Sequence, residues 1–403
     1  MAVHAIRAAI AYDGERFLDQ GATVLVADGA IVGVEPVSCE LPEDCPVADY
    51  HGTLLPGLFD CHVHLVADSS PGGLERAATY DEASLDGVIT RSLRQQAAAG
   101  VTTVRDLGDI GYRTLRHRDA PVDGLPRIVA SGPPLTSPAG HCHFLGAEVE
   151  GPTSVRRAVD EHVRRGVDVV KVMASGGMLT PGSDQFGVQL SPGDLRSLVV
   201  RAHEHGLSVL AHAHSLAGAR HALAAGVDGL EHFTCLTADG VTVAPDLIEE
   251  VAARGVVVNM TLGLDRAVLD QLGEPPPAMR LLMDKLGLDP DGLFERRLAI
   301  VAALRERGVR LVTGVDAGAA PPKPHGSAWR AVHDLVRGGY SPAEALATAT
   351  SAAADVCGLG KTTGRLAAGY AADLLVVDGD LRSDIEALGR PVAVRVRGVA
   401  VIS

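Results

Sequence analysis

The sequence predicts an α/β fold, a (β/α)8 TIM barrel, with a small β domain made from the two ends of the chain. Short apolar runs alternate with helix-like segments from residue 54 to residue 318. Eight such repeats over about 265 residues match the ~250 residues typical of this barrel. Strand-like runs at both ends of the 403-residue chain predict the small domain, because neither end alone has enough strands for a stable sheet.

The order of the elements follows from these patterns. Residues 4–35 contain apolar stretches separated by Asp-Gly and Gly turns, which predict three short strands. The candidate barrel strands are residues 54–65, 101–108, 126–132, 168–177, 207–215, 228–234, 256–263 and 309–318. Most of the helix-like segments between them end at a Gly, a residue suited to a helix C-terminus. Further helices are predicted at 327–338 and 342–356, before the strand-like runs ADLLVVDGD and VAVRVRGVAVI.

The composition points to a small-molecule partner. Fifty acidic residues against 36 basic ones give a formal net charge of -14, which disfavours nucleic acids and anionic membranes. No apolar run approaches ~18 residues and no signal-peptide pattern is found at the N-terminus, so we expect a cytoplasmic protein. The six Cys lack CxxC spacing and are expected to be reduced, although Cys39 and Cys45 could close a small loop.

Polar residues mark the C-terminal ends of the predicted strands, where barrel active sites lie. They are His62, His64, Lys171, His212, His214, His232 and Asp316. His62 and His64 are two residues apart, so both rings point to one side of an extended strand and could bind one ion. The alternative is that both rings are hydrogen-bonded within the barrel wall.

Lys171 and Asp316 each allow several roles. Lys171 is one of only four Lys and lies in the apolar run DVVKVM, where burial would lower its pKa and supply free amine. That amine could form a Schiff base, capture CO2 to become a metal-bridging carbamate, or simply pair with an acid. Asp316, in GVDAG, could be a metal ligand, a general base or a helix cap.

The motifs PGLFDCHVHL, GVTTVRDLG, DVVKVMASGG, AHAHS, GVDGLEHFT, GVDAG and TGRLAAGYAADLLVVDGD span nearly the whole chain. Together they resemble the amidohydrolase superfamily, in its imidazolonepropionase-like and prolidase-like (Xaa-Pro dipeptidase) branch. The resemblance implies that the small domain is a composite β-sandwich of residues 1–55 and 357–403 beside a barrel of residues 56–356.

The resemblance also implies a site with two divalent ions, zinc above all. His62, His64 and Asp316 would bind the first ion and His212 and His232 the second, with N6-carboxylated Lys171 between them. A shared hydroxide would attack an acyl carbon, and Asp316 would pass its proton to the leaving amine. Asp316, Lys171 and His232 are thus the expected catalytic residues.

The expected reaction is hydrolysis of a C–N bond in a small amide, such as an N-acyl amino acid, a dipeptide or a lactam. Candidate substrate-binding residues are His141, His143, Tyr112, His214 and His325. No Arg in the same loops is placed to clamp an anion, so we expect a neutral or singly charged substrate. The alternative functions are a heterocycle deaminase, a Schiff-base lyase using Lys171 and a non-catalytic relative. The sequence is also compatible with a homo-oligomer.

Overall fold

The computed structural model of the chain describes residues 3–272, 277–287 and 289–402. The strands are β1 (His4–Tyr12), β2 (Phe17–Leu18), β3 (Ala22–Ala27), β4 (Ala30–Glu35), β5 (Val47–Pro56), β6 (Leu58–Val63), β7 (Val101–Asp106), β8 (Arg127–Ala130), β9 (Val170–Met173), β10 (Val209–Ser215), β11 (Gly229–Thr237), β12 (Gly240–Val241), β13 (Val257–Asn259), β14 (Leu374–Val377), β15 (Pro391–Val396) and β16 (Val399–Ile402). The α-helices are α1 (Gly73–Ala77), α2 (Glu82–Ala98), α3 (Arg113–Asp119), α4 (Gly151–Arg165), α5 (Pro192–Glu204), α6 (Leu216–Ala225), α7 (Pro245–Arg254), α8 (Arg266–Gln271), α9 (Pro277–Leu286), α10 (Pro290–Glu306), α11 (Ala328–Arg337), α12 (Pro342–Thr348) and α13 (Ser351–Val356).

Parallel strands alternate with helices in the middle of the chain and form two ladders. One ladder is β6-β7-β8, and the other contains β9, β10, β11 and β13. A single parallel bridge between Leu135 and Val172 connects the two ladders. Two more bridges connect residues 311–317 to them, one from Val258 to Leu311 and one from Val63 to Ala317. With β6 counted, eight segments are thus connected in order, although the bridge at Leu135 lies beyond the end of β8. This order is that of a TIM-barrel-type α/β fold.

The first and last predicted barrel strands differ from the observed ones. The predicted strand 54–65 is divided at Gly57, where a Cβ atom would lie 2.2 Å from Cγ2 of Thr102. The predicted strand 309–318 makes only isolated bridges, and it ends in a left-handed turn at Asp316, with φ 68°. The predicted helix 342–356 is likewise two helices, α12 and α13, because Thr350 has φ -134° and ψ -100°.

The two ends of the chain share one sheet of eight strands. Its order is β16-β15-β14-β5-β1-β3-β4, with β2 paired to β1. The two ends meet where β5 and β14 run antiparallel, with Leu55 opposite Leu375. The expected pairing of the N-terminal and C-terminal strands is therefore seen. Residues 4–35 form the three expected strands and, in addition, the two-residue strand β2.

Apolar side chains fill the space between strands and helices, with Val63, Val104, Val172 and Val258 among the fully buried ones. All six cysteines are free, Cys39 and Cys45 included. Among the residues that the structure describes, no helix is long and apolar enough to cross a membrane.

Candidate metal centre

Two clusters of possible metal ligands lie at the C-terminal ends of the barrel strands. One contains His62, His64 and Asp316, and the other contains His212, His214 and His232. Within each cluster the possible ligand atoms lie within 4.8 Å of one another. The ring centroids of His62 and His232 are 5.1 Å apart, so the two clusters adjoin and form one site.

The first cluster combines two imidazoles with one carboxylate. Oδ1 of Asp316 lies 3.1 Å from Nε2 of His64 and 3.4 Å from Nε2 of His62. The Nδ1 atom of His64 is 3.0 Å from the carbonyl of Gly108, to which it donates. A Cβ atom at Gly108 would lie 2.9 Å from Cε1 of His64, so glycine makes room for this ring. The bond to Gly108 directs Nε2 of His64 toward the carboxylate.

In the second cluster each ring uses one nitrogen in a bond to the surrounding wall. Nε2 of His212 lies 3.2 Å from the carbonyl oxygen of Gly176. Nδ1 of His214 lies 2.9 Å from Oγ1 of Thr234, and Nδ1 of His232 lies 2.9 Å from Oγ1 of Thr261. The other nitrogen of each ring is left for a ligand bond. The structure thus includes His214 in the cluster, whereas the family resemblance assigns only His212 and His232.

Two of the ligand-type residues have unusual backbone conformations. Asp316 has φ 68° and His232 has φ 71°, in the left-handed region that side-chain-bearing residues rarely adopt. The N–H of Asp316 donates to the carbonyl of His62 at 2.8 Å, which holds the turn against the first strand. Such conformations cost about 1 to 3 kcal/mol each and concentrate at functional sites.

Burial keeps most of the histidines neutral. It lowers the pKa of His62 to about 4 and holds the pKa values of His212, His214 and His232 well below the ordinary range. Burial also lowers the pKa of His64, but its bond to Asp316 outweighs that effect and raises it. Neutral imidazole is the form that binds a metal ion.

Burial would raise the pKa of Asp316, but Lys323, His62 and His64 hold it well below its usual range. The carboxylate is therefore ionised at neutral pH. An ionised carboxylate among neutral imidazoles is a donor set that suits zinc and neighbouring divalent metals, so the residues present fit the ions that the sequence predicts.

Lys171 lies in β9 and is buried beside both clusters. Burial lowers its pKa to about 8, although the nearby charges of Glu231 and Asp316 partly oppose this effect. Within the described part of the chain the side chain of Lys171 forms no hydrogen bond and no ion pair, so it is not the acid-paired lysine of the structural alternative. A free amine is consequently available near pH 8.

Glu231 contacts the first cluster, and the sequence pattern did not single it out. Its carboxylate accepts hydrogen bonds from Nδ1 of His62 at 2.8 Å, Nδ2 of Asn259 at 2.8 Å and Nη2 of Arg105 at 3.1 Å. Burial would raise its pKa, but His62 and Arg105 lower it to about 2. The buried anion fixes the orientation of His62, as outer-shell carboxylates do in metal sites.

Replacing Glu231 with Gln is expected to weaken zinc binding about 10- to 100-fold, because a neutral amide holds His62 less firmly and leaves Arg105 without its counter-charge. Competition with a chromogenic chelator gives the zinc dissociation constant. Glu249→Gln, on the exposed side of α7, is the matched control. A Glu231→Gln dissociation constant within twofold of the wild-type value would exclude this role.

The candidate substrate-binding residues differ in how close they lie to the two clusters. His141 is buried against the site, with its ring centroid 4.6 Å from that of His212. His143 is half-buried, and its Nδ1 donates to Gly140 in its own loop. The structure therefore brings His141 and His214 to the clusters, while the side chain of His143 is hydrogen-bonded within its own loop.

Tyr112 and His325 are committed to other contacts. The hydroxyl of Tyr112 lies 3.1 Å from Nδ1 of His162, on α4, and Arg165 covers its ring. In His325, Nε2 lies 2.9 Å from the carbonyl oxygen of Ala67, and Nδ1 lies 3.3 Å from Nε2 of Gln96. Both side chains thus support the wall in this structure, and their binding of substrate stays a prediction.

The fold and this His/Asp centre define a TIM-barrel-type protein with a candidate metal site. Residues 53–401 match the model of the Amidohydrolase family, and the chain belongs to that family. It is accordingly a metal-dependent hydrolase that acts on C–N bonds. The family assignment confirms the resemblance inferred from the motifs.

Named relatives and solved structures agree with the family. The chain is 29% identical over 374 residues to an ochratoxinase of Aspergillus niger, covering 85% of this chain and 73% of the relative. It is 27% identical over 394 residues to an imidazolonepropionase of Chromobacterium violaceum, covering 89% and 86%. The crystal structure of a Xaa-Pro dipeptidase with bound methionine is similar in fold, with a TM-score of 0.84, 23% identity and 99% of each chain covered.

Proposed function

We propose that the protein is a binuclear metal-dependent hydrolase that cleaves an amide C–N bond in a small substrate, such as an N-acyl amino acid, a dipeptide or a lactam. The supporting observation is the arrangement of two adjoining ligand clusters around one buried lysine with a lowered pKa. One ion of ordinary coordination would not use five protein ligands and a bridge.

Each cluster would hold one ion. His62, His64 and Asp316 would bind the first, and His212 and His232 the second. Between them, the amine of Lys171 would combine with CO2, forming an N–C bond and releasing one proton, to give an anionic carbamate with an oxygen for each ion. When bound, two divalent ions, with zinc the best match to these donors, supply a water nucleophile at neutral pH and polarise the amide carbonyl.

The side chains move the proton and orient the substrate. Asp316 is ionised at neutral pH, so it can take a proton from the attacking water and deliver it to the nitrogen of the leaving amine. Lys323 donates to Oδ2 of Asp316 at 3.1 Å and holds this carboxylate in place. His141 and His214 border the clusters and are placed to hydrogen-bond the substrate.

The lowered pKa of Lys171 makes zinc uptake dependent on pH and CO2. The amine reacts only when deprotonated, and with a pKa of about 8 its deprotonated fraction rises about eightfold from pH 7.0 to pH 8.5. At a fixed concentration of dissolved CO2, the initial rate of zinc uptake by the metal-free protein should rise by that factor. Lys171→Glu carries its own carboxylate, so uptake by this variant should be independent of CO2. Full uptake by the wild-type protein without CO2 would contradict the carbamate.

The proposed reaction is tested with a panel of N-acyl amino acids, dipeptides, lactams and amino-substituted heterocycles, assayed on zinc-loaded protein. Release of an amine or amino acid from an amide supports the proposal. Release of ammonia from a heterocycle, without turnover of any amide, would favour the deaminase. Covalent trapping of a carbonyl compound on Lys171 by borohydride would favour the lyase, since the free amine near pH 8 also suits a Schiff base.

The remaining features of the proposal concern the whole protein. We propose that residues 1–55 and 357–403 form a composite β-sandwich domain beside the barrel of residues 56–356, supported by the shared eight-stranded sheet. We also propose a cytoplasmic enzyme that acts on small molecules and binds neither nucleic acid nor membranes. Its net charge of -14 supports this choice of partner.

A further inference from the structure

Two cations lie beside the metal centre, and the proposed reaction uses only one of them, Lys323, which positions Asp316. Lys323 lies in the loop after the eighth barrel segment and pairs with Asp316, with Nζ 3.1 Å from Oδ2. Arg297 lies on α10, and its Nη2 donates to the carbonyl of Met260, directly after β13. Both side chains are only partly accessible.

The contacts of the two residues place them on the same side of the site. Met260 precedes Thr261, whose hydroxyl lies 2.9 Å from Nδ1 of His232. The loop that carries Lys323 is joined to the loop after β13, because the N–H of Asp265 donates to the carbonyl of Pro322 at 2.7 Å. Arg297 and Lys323 thus approach the clusters from two adjoining loops.

His214 is the partly exposed member of its cluster, so it marks the side of the site that a substrate reaches. Its ring lies beside that of His232, with the centroids 4.3 Å apart. Arg297 contacts the loop that supports His232, and Lys323 contacts Asp316 of the other cluster. The two positive charges thus lie near the accessible side of the centre.

Neither cation is balanced by an acid of its own. Arg297 forms no ion pair within the described residues, and its Nε is enclosed without a hydrogen-bond partner. Asp334 is nearby, but Oδ2 of this acid accepts the N–H of Gly263 at 2.9 Å. Lys323 has only Asp316, a carboxylate that the first ion would share. An enclosed guanidinium without an anion is costly, so such a group is typical of a ligand-binding position.

We propose that Arg297, assisted by Lys323, determines specificity by binding a carboxylate of the substrate. This inference rests on the proposed function and restricts it to small amides that carry a carboxylate. The guanidinium can form a charge-assisted hydrogen bond to that group through the terminal nitrogen not bound to Met260. Lys323 adds a second positive charge beside the reacting bond.

The test compares two substrates that differ only in charge, N-acetyl-L-leucine and N-acetyl-L-leucinamide, by the release of acetate. The wild-type protein should prefer the acid about 10- to 100-fold in kcat/KM, the usual effect of a charge-assisted hydrogen bond. Arg297→Met should abolish this preference mainly through KM, with the neutral amide changed by less than about threefold. Arg296→Met, at the exposed neighbouring position on α10, should behave as wild type. Equal turnover of acid and amide by the wild-type protein would overturn the inference and leave the proposed function intact.

A binding measurement separates the two proposals if neither compound is cleaved. Isothermal titration calorimetry measures the affinity for N-acetyl-L-leucine. If the wild-type protein binds this compound and Arg297→Met does not, carboxylate recognition is supported even where amide hydrolysis has failed. If the wild-type protein does not bind the compound, or if the wild-type protein and Arg297→Met bind it equally, carboxylate recognition by Arg297 is overturned. Arg297→Lys, which keeps the charge, should retain part of the affinity and serves if the Met variant does not fold.

Discussion

Lys171→Ala is expected to lose most of its bound metal and nearly all hydrolytic activity. In the proposed centre the Lys171 carbamate would bind both ions directly, so the loss in kcat/KM should exceed the ~10- to 100-fold typical of removing an outer-shell partner. The backbone of β9 stays paired to β10 in this variant, since Leu210 pairs with the backbone of residue 171. Metal content by elemental analysis and activity on the best amide measure both effects.

Three controls separate the carbamate from other roles of Lys171. Lys361→Ala removes an exposed lysine and should change neither metal content nor activity. Lys171→Arg keeps a positive charge but cannot capture CO2, and it should be as inactive as Lys171→Ala. Added acetate or propionate should restore part of the metal binding of Lys171→Ala by supplying a bridging carboxylate. An Arg variant with a nearly normal rate would show that only the charge was required.

Asp316→Asn is expected to reduce kcat by about 10²- to 10⁴-fold, the range for removal of a general base. The amide can still offer an oxygen toward His62 and His64, so much of the metal should remain. Steady-state kinetics together with metal analysis distinguish this result from simple loss of the ions. Asp291→Asn, whose side chain is 76% exposed on α10, is the control. A rate within a few-fold of the wild-type rate would remove Asp316 from the proton transfer.

The candidate ligands were predictable because of their positions along the sequence. His62 and His64 occupy alternate positions of one strand, and Lys171 and His212 interrupt otherwise apolar runs. The C-terminal ends of parallel barrel strands meet at one edge, so polar residues at several ends converge. The structure confirms that convergence and brings His62, His64 and Asp316 together, as well as His212 and His232.

The supporting residues were not predictable, because they depend on contacts between distant segments. Glu231 contacts His62, Arg105 and Asn259 across the barrel interior, and no spacing in the sequence relates these positions. Arg297 belongs to a helix and lies outside the strand-end loops that carry the other candidate substrate-binding residues. Lys323 was the one residue whose sequence position indicated a cation near the site, since a second lysine close to the candidate ligands is unusual in a chain with four Lys.

Irregular backbone explains the differences in the barrel itself. The apolar pattern of residues 309–318 is typical of a strand, but the segment makes only isolated bridges and turns into the left-handed region at Asp316. At Gly57 the chain passes from the shared sheet into the barrel, a division that a continuous apolar run conceals. The spacing of hydrophobic residues predicts which side chains are buried, but it does not predict where the backbone changes direction.

Metal stoichiometry tests the binuclear centre most directly. Wild-type protein loaded with zinc in the presence of bicarbonate, then freed of unbound metal, is analysed by inductively coupled plasma mass spectrometry against the protein concentration. The two clusters and the Lys171 bridge predict about two zinc ions per chain, falling to less than one in Lys171→Ala. One ion or fewer in fully loaded wild-type protein would contradict the account.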